Sequence, residues 1–280
     1  YVSTSGSDSN PGTSSQPFKT ISKAISAAGA GDVVIIKAGT YRETLNFPES
    51  KSGTASNPIV IMGENYGEVI VDGENTRGRL LLSQSADYVH IKNIIFRGAK
   101  NVALGADDAC VAIKSVTKRG DPSKGWLIED VTVEDCAGEG LGIGDSEDVV
   151  VRRVISQRNL QAGIAGPRNK NLLVEDSISR YNNLGWSYNP HPGERSKNGQ
   201  EKVYSWNGKW YVRVGHDAGG GKFSGTGSAT IENHTAYENH GPGMWFDYNN
   251  KNVIVRNSVF HHNVPAVEGW GGVGLFVEFN

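Results

Sequence analysis

Two acidic residues near the end of the sequence occupy matching places in two similar segments. Asp247 lies in GMWFDY (243–248) and Glu278 in GLFVEFN (274–280), each following the first glycine of its segment at the same spacing. If these segments stack as parallel strands about 4.8 Å apart, their carboxyl groups lie at roughly 5 Å, close to the separation in retaining glycoside hydrolases. Because neighbouring carboxylates repel, we expect one to be an ionised nucleophile and the other a protonated acid/base. A calcium-binding pair and a solvated surface pair are the alternatives.

A lysine precedes these segments in HDAGGGKF (216–223). Lys222 is expected nearly in register with Trp245 if the two segments stack. The three glycines before the lysine remove side-chain bulk and allow close approach of backbone or ligand. Lys222 is then expected to orient a carboxylate, to bind substrate or, in a lyase, to abstract a C5 proton. An isolated surface lysine is the alternative.

Three residues near these groups are expected to bind the substrate. Trp245 and Tyr248 flank Asp247 in the sequence. Asp217 is assigned to the same site, with a metal ligand or a plain turn aspartate as alternatives. No spacing of His, Asp and Glu specifies zinc or iron, so we expect no required cofactor and leave calcium open.

A long excursion, 183–219, is unusually rich in aromatic and polar side chains. Aromatic rings stack on the C–H faces of sugars, while polar groups bind the hydroxyls. We therefore predict that this segment forms a cleft wall in which Tyr188, Trp210 and Arg213 bind substrate. Packing of these side chains onto the rest of the fold is the alternative.

Repeated segments indicate what positions these residues. An apolar anchor recurs with a base period of about 23 residues, and asparagine follows the last four anchors eight residues later. The anchors are Ile91, Ile128, Val151, Val174, Ile231 and Val255. Short apolar runs separated by Gly and Asn turns predict two or three strands per repeat, and thus an all-β, right-handed parallel β-helix. The recurring asparagines, expected to pair their amides along the axis, are Asn159, Asn182, Asn239 and Asn263.

The two ends of the predicted β-helix differ. Phe18, Ile21, Ile25 and Ala28 have helical spacing and are followed by glycine, which predicts a capping helix within an N-terminal region, 1–32. Strands predicted at 32–36, 58–61, 69–73 and 88–91 form the first coils of a single domain, 1–280. The last repeat has no closing strand or cap, so we expect an uncapped end and a native chain that continues past Asn280.

Composition limits the classes of partner. The 280 residues include 28 Lys plus Arg and 30 Asp plus Glu, with 37% hydrophobic and 21% charged residues. This is typical of a folded protein without a positive field for nucleic acid, and no apolar run is long enough to span a membrane. The Ser/Gly/Asn-rich start, 1–16, is compatible with a secreted protein whose signal peptide has been removed. We also expect a monomer. Cys110 and Cys136 are interpreted as core thiols, with a single disulfide as the alternative.

Several of these segments resemble known families. The opening YVS (1–3), GSDSNPGT (6–13), PFKTI (17–21) and GDVVII (31–36) resemble the start of many secreted β-helix carbohydrate-active enzymes. GGKF (220–223), GMWFDY (243–248) and LFVEFN (275–280) resemble consecutive coils of the glycoside hydrolase family that includes β-helix β-xylosidases. The resemblance implies a pectate-lyase-like solenoid, an extracellular location, and the roles of nucleophile for Asp247 and acid/base for Glu278.

The preferred interpretation is a retaining glycoside hydrolase that acts on a plant or algal polysaccharide or its oligosaccharides. The second is a uronate polysaccharide lyase of the alginate or pectate type. It would use Lys222 as base for β-elimination and Tyr188 or Arg213 as acid or carboxylate clamp. The third is a carbohydrate-binding solenoid without catalytic activity, since a fold does not determine a function.

Overall fold

The computed structural model describes residues 1–100, 109–114, 122–183, 219–265 and 271–278, and the backbone of 203–206 and 209–212. This part of the chain contains one helix, α1 (Ile21–Ala27), which is too short to cross a membrane. The strands are β1 (Val33–Ile36), β2 (Gly39–Tyr41), β3 (Leu45–Pro48), β4 (Ile59–Gly63), β5 (Val69–Asp72), β6 (Leu81–Gln84), β7 (Val89–Lys92), β8 (Ile95–Arg97), β9 (Val111–Lys114), β10 (Ser123–Lys124), β11 (Leu127–Glu129), β12 (Thr132–Glu134), β13 (Leu141–Gly144), β14 (Ser146–Glu147), β15 (Val150–Arg152), β16 (Ile155–Gln157), β17 (Ile164–Pro167), β18 (Leu172–Glu175), β19 (Ile178–Arg180), β20 (Val203–Trp206), β21 (Lys209–Val212), β22 (Gly221–Ser224), β23 (Ala229–Glu232), β24 (Thr235–Tyr237), β25 (Met244–Asp247), β26 (Val253–Arg256), β27 (Val259–His261) and β28 (Leu275–Val277).

Three parallel sheets of eight strands each form the walls of a right-handed β-helix, as the repeats predict. Sheet 1 has the order β1-β4-β7-β11-β15-β18-β23-β26, and sheet 2 the order β2-β5-β8-β12-β16-β19-β24-β27. Sheet 3 has the order β3-β6-β9-β13-β17-β22-β25-β28. Each coil therefore contributes one strand to each sheet. Two smaller pairings occur, a parallel one between β10 and β14 and an antiparallel one between β20 and β21.

The register of sheet 1 follows the sequence anchors. Ile128 pairs with Ile91 on one side and with Val151 on the other. The series continues through Val174, Ile231 and Val255. The side chains at these positions point inward because alternate residues of a strand face opposite sides of the sheet. The period of the sequence therefore predicted both the coil repeat and the residues that fill its core.

The predicted asparagine ladder is present in the turn between sheets 2 and 3. The side-chain amide of Asn159 donates to Oδ1 of Asn182 at 3.0 Å, and that of Asn182 donates to Asn239 at 3.1 Å. Asn239 donates in the same way to Asn263 at 3.0 Å. All four side chains are buried. Because unpaired amides would be costly in this environment, each rung depends on the coil above and below it.

Ion pairs fasten two adjacent coils at three corners. Each pair joins an aspartate to an arginine 23 residues later, with Nε–Oδ1 distances of 2.6 to 2.9 Å and a second bond from Nη2 to Oδ2. The pairs are Asp130–Arg153, Asp135–Arg158 and Asp145–Arg168. All six residues have positive φ angles, a conformation uncommon for residues other than glycine. The corners thus recur in one backbone conformation, and opposite charges favour this stacking of the two coils.

The capping helix is shorter than predicted. α1 begins after Thr20, whose hydroxyl accepts a hydrogen bond from the Lys23 amide and so caps the helix. Phe18 lies before this cap and packs against the core from outside the helix. The prediction that Phe18 belongs to the helix is therefore wrong, because Thr20 sets the start of α1. Ile21 and Ile25 are buried as predicted.

The two cysteines form a disulfide, so the interpretation as core thiols is wrong and the alternative is correct. Cys110 immediately precedes β9, and Cys136 follows β12 one coil later. This stacking places their Cα atoms 6.0 Å apart, within the ordinary range for a disulfide. The Cys136 amide donates to Oδ1 of Asn159 at 3.2 Å. The disulfide thus lies where the asparagine ladder begins.

Candidate functional site

The candidate site lies on the outer face of sheet 3, on the three strands that come last in the sequence, β22, β25 and β28. Lys222 in β22 pairs directly with Trp245 in β25, and Ser224 pairs with Asp247. On the next strand, Phe246 pairs with Val277. The Glu278 amide donates to the Phe246 carbonyl at 3.0 Å, which continues the register by one residue. Stacking of three strands therefore brings together residues that are far apart in the sequence, as predicted.

An ion pair connects the first two strands of the site. Nζ of Lys222 lies 3.2 Å from Oδ2 of Asp247, and about one fifth of each side chain is exposed. The same ammonium lies 3.9 Å from the ring centroid of Trp245. The ammonium therefore contacts both the Asp247 carboxylate and the Trp245 ring, which limits the positions that the carboxylate can adopt.

The backbone around Asp247 is also held in place. Oδ1 of Asp247 accepts a hydrogen bond from the Tyr248 amide at 2.8 Å. Three residues later, the side-chain amide of Asn250 donates to the carbonyls of Asp247 and Phe223. Oδ1 of Asn250 accepts from the Thr226 amide at 3.0 Å. The turn after β25 is therefore tied to the preceding coil, which limits the movement of the carboxylate.

The acidic partner, Glu278, is partly buried at the end of β28. It occupies the position one strand beyond Asp247, so both side chains project from the same face of sheet 3. Tyr248, assigned to substrate binding, is 56% exposed beside this pair. The carboxylates thus lie at the solvent-accessible side of the site, where a ligand can reach them.

Closer to the N-terminal ends of these strands, the outer face of sheet 3 is buried. Trp245 is 3% exposed, and its ring meets that of Phe276 edge-on at 5.3 Å between centroids. Ala165 and Ala112, which face outward on β17 and β9, are buried as well. Accessible chemistry in the described part of the site is therefore concentrated at Lys222 and at the ends of the strands.

The glycines before Lys222 serve the backbone. A Cβ atom on Gly220 would lie 1.9 Å from the carbonyl oxygen of Gly243 in the next coil. A Cβ atom on Gly221 would lie 2.7 Å from the carbonyl oxygen of Ile164 in the preceding coil. Both distances are far below normal contact. Of the two explanations offered for these glycines, close approach of backbone and close approach of a ligand, the first therefore applies to Gly220 and Gly221.

A buried carboxylate on sheet 3 was missed by the sequence analysis. Glu139 is 5% exposed and lies just before β13. Its Oε2 atom lies 3.3 Å from the place that a Cβ on Gly142 would occupy, above the outer face of the sheet. The sequence does mark this position: Glu139 lies between two glycines, and the residue that aligns with it in the next repeat is the small, apolar Ala162.

For four residues predicted to bind substrate, the structure describes no side chain. Asp217, Tyr188 and Arg213 lie outside the described residues, and for Trp210 only the backbone, in β21, is described. The excursion 183–219 contains the hairpin of β20 and β21. Its role as a cleft wall stays a prediction.

Metal binding finds no support in the residues that the structure describes. Among them, no three His, Cys, Asp or Glu side chains are grouped closely enough to hold an ion. Asp247 is engaged by the Lys222 ammonium, a partner that competes with a cation for the same oxygen. Calcium binding, which the sequence leaves open, stays a prediction.

Family models match most of the chain. The model of the Pel9A-like, right handed beta helix region matches residues 1–182, and that of the right handed beta helix region matches residues 116–280. The first match covers more than half of the 280 residues.

Shorter alignments connect the chain to curated proteins. Pectate lyase PEL9 of Emericella nidulans is 42% identical over 78 residues, which are 28% of this chain and 19% of that protein. Pectate lyase L of Dickeya chrysanthemi is 28% identical over 119 residues, 40% of this chain and 28% of that protein. These alignments span less than a third of either relative.

Solved structures share the fold at low identity. XylC in complex with xylose has a TM-score of 0.67 and 13% identity, covering 92% of this chain and 63% of that one. Pectate lyase Pel9A has a TM-score of 0.57 and 18% identity, covering 94% of this chain and 69% of that one. At such identities the likeness concerns the fold alone.

Proposed function

Since the chain belongs to the family of Pel9A-like right-handed β-helix proteins, whose fold is that of carbohydrate-processing enzymes, we propose that it is a retaining glycoside hydrolase. Its substrate would be a plant or algal polysaccharide or the oligosaccharides derived from it. The observation that carries the proposal is the register of β25 and β28, which places Asp247 and Glu278 on adjacent strands.

The two carboxyl groups would have separate tasks. Asp247 attacks the anomeric carbon as the glycosidic bond breaks, while Glu278 transfers its proton to the departing oxygen. Glu278 then removes a proton from water, and the resulting attack on the anomeric carbon releases the sugar and frees Asp247. Strand spacing of about 4.8 Å suits this direct attack better than the wider gap of inverting enzymes.

Lys222 supports the nucleophile in this mechanism. The ammonium beside Oδ2 of Asp247 restricts the rotation of the carboxylate. A nucleophile that is oriented before the substrate arrives requires less reorganisation during the reaction. Lys222 is therefore a positioning residue under this proposal.

A uronate polysaccharide lyase is the second candidate. It is favoured by the family match and by the names of the two pectate lyases that align with parts of the chain. In that reaction Lys222 would act as the base, whereas its Nζ atom is already engaged by Oδ2 of Asp247. The Pel9A-like match also ends at residue 182, before Lys222, Asp247 and Glu278. The geometry of the site thus favours hydrolysis.

An extracellular location accompanies either reaction in this proposal. Disulfides persist in oxidising compartments, and Cys110 is paired with Cys136. Polymeric glycans are also substrates that a cell meets outside its membrane.

One assay separates the candidates. The protein is incubated with xylan, pectin, alginate and further plant and algal glycans while reducing ends and ultraviolet absorbance are followed together. We expect reducing ends without absorbance, since only β-elimination leaves an unsaturated sugar. Both signals together would establish a lyase and overturn the proposal. Glycan binding without either signal, unchanged in Asp247→Asn, would indicate a non-catalytic carbohydrate-binding protein.

A further inference from the structure

Trp245 is placed poorly for stacking on a sugar. Its side chain is 3% exposed, the Lys222 ammonium lies 3.9 Å from its ring centroid, and the Phe276 ring meets it edge-on. Stacking requires an open ring face of the aromatic side chain. These contacts point to a second role for the ring, beside the substrate binding expected from the sequence.

The register explains what the ring does contact. Lys222 and Trp245 are direct partners on β22 and β25, whereas Asp247 lies two residues further along the same strand as Trp245. Side chains on a strand lean along its direction, so the lysine stem passes over the indole before Nζ reaches Oδ2 of Asp247. A lysine side chain has many rotamers, and an ammonium is attracted to the face of an indole. The ring therefore selects the conformations of Lys222 that contact Asp247.

We propose that Trp245 is a positioning residue for Asp247 that acts through the Lys222 ammonium. This inference rests on the proposed function in assigning Asp247 as the nucleophile, but the contact between the three side chains can be tested without turnover. The indole restricts the lysine side chain, and the lysine in turn holds the carboxylate in one orientation. Loss of the indole should then resemble a partial loss of the lysine.

The kinetic test compares kcat and KM of wild type, Trp245→Phe, Trp245→Leu and Lys222→Met on the glycan that gives the highest rate. The readout is the split between kcat and KM at one pH. We expect Lys222→Met to lower kcat about tenfold with KM little changed, because a carboxylate that is no longer held in position slows the chemical step rather than substrate binding. Trp245→Leu should lower kcat in the same way but less, and Trp245→Phe, which keeps an aromatic face, less still.

The double variant decides between positioning and packing. If Trp245 acts through Lys222, Trp245→Leu combined with Lys222→Met should have the same kcat as Lys222→Met alone. A further fall in kcat on adding Trp245→Leu, or no fall in Trp245→Leu by itself, would overturn the inference. A purely structural tryptophan would lower kcat by the same factor whether or not Lys222 is present.

A stability cycle tests the contact independently of activity. Urea midpoints are measured for Lys222→Met, Trp245→Leu and the double variant, and their changes should be less than additive. Lys23→Met with Phe18→Leu is the matched control, since Lys23 lies at 5.8 Å over the Phe18 ring outside the site. We expect weaker coupling in that control.

If the urea cycle shows coupling but the protein hydrolyses nothing, the contact stands and the proposed function fails. If hydrolysis occurs and the Lys222–Trp245 changes are additive, the inference fails alone.

Discussion

Asp247 and Glu278 stand opposite each other at the ends of neighbouring strands, one residue beyond the register pair Phe246–Val277. They are 31 residues apart in the sequence, and the separation between them is set by the stacking of coils. The geometry of the site therefore depends on features that hold the coils in register, and those features can be tested separately from the chemistry.

Replacement of the two carboxylates tests their assignment. Glu278→Gln should lower kcat by about 10²- to 10⁴-fold, the usual contribution of a general acid/base, and Asp247→Asn should reduce turnover at least as strongly. Circular dichroism and urea unfolding should show that both variants stay folded. Asp176→Asn, an isosteric change of an exposed aspartate in the turn between β18 and β19, is the control and should keep wild-type rates. Retained activity in Asp247→Asn would refute its role.

Removing one rung of the asparagine ladder should destabilise the fold. Asn182→Ala removes the hydrogen bond that the buried Asn159 side-chain amide donates and the one that Oδ1 of Asn239 accepts. We expect a loss of about 2 to 4 kcal/mol in the free energy of unfolding, as several buried groups lose partners. Asn65→Ala, at an exposed asparagine that bonds only to a nearby glutamate in the described structure, should change it by less than about 0.5 kcal/mol. Equal losses in the two variants would show that the ladder is not a major source of stability.

Reduction of the disulfide should also lower stability. Cys110 and Cys136 close a loop with a sequence separation of 26, for which chain entropy predicts about 3 to 4 kcal/mol. We expect Cys110→Ala/Cys136→Ala to unfold at lower urea concentration than wild type under oxidising conditions. Dithiothreitol should lower the midpoint of the wild type and leave that of the variant unchanged. A wild-type midpoint unaffected by the reductant would contradict a stabilising disulfide.

A buried histidine should make the fold sensitive to acid. His234 is fully buried between β23 and β24, and burial lowers its pKa from 6.5 to about 4. The unfolded chain therefore binds a proton at higher pH than the folded protein does. Its contribution to stability is complete above pH 6.5 and is lost as pH falls toward 4, by up to about 3 kcal/mol.

Urea unfolding at pH 7.5 and pH 4.5 checks this contribution. His234→Leu should show a smaller loss between the two pH values than wild type, whatever its absolute stability. His90 and His240, whose pKa values are lowered by partial burial, remain in both proteins and cancel in the comparison. An identical loss in both proteins would exclude His234 as the cause.

The parts of the structure that repeat were predictable from the sequence. The anchors gave the register of sheet 1, and the recurring asparagines gave a ladder, because a period in the sequence maps directly onto neighbours in space. The same logic placed Lys222 opposite Trp245 and Asp247 beside Glu278. Features that occur once in the chain were harder to predict. The start of α1 depends on one cap at Thr20, and pairing of Cys110 with Cys136 depends on the path of a turn.

The orientation of side chains on the site face was also beyond the sequence. Tryptophan often stacks on sugar rings, but the burial of Trp245 and its contact with Lys222 depend on three-dimensional packing. Glu139 escaped notice because its carboxylate reaches the face of sheet 3 from the turn before β13 rather than from the strand itself.

The stereochemistry of the first product tests the central claim most directly. Proton NMR of the anomeric signals, recorded early in the digestion of the most active glycan, distinguishes the configuration released by the enzyme from that formed later by mutarotation. A pair of carboxylates on adjacent strands predicts retention, through a covalent sugar on Asp247 that Glu278 helps water to hydrolyse. An inverted first product, or an unsaturated one, would contradict the account.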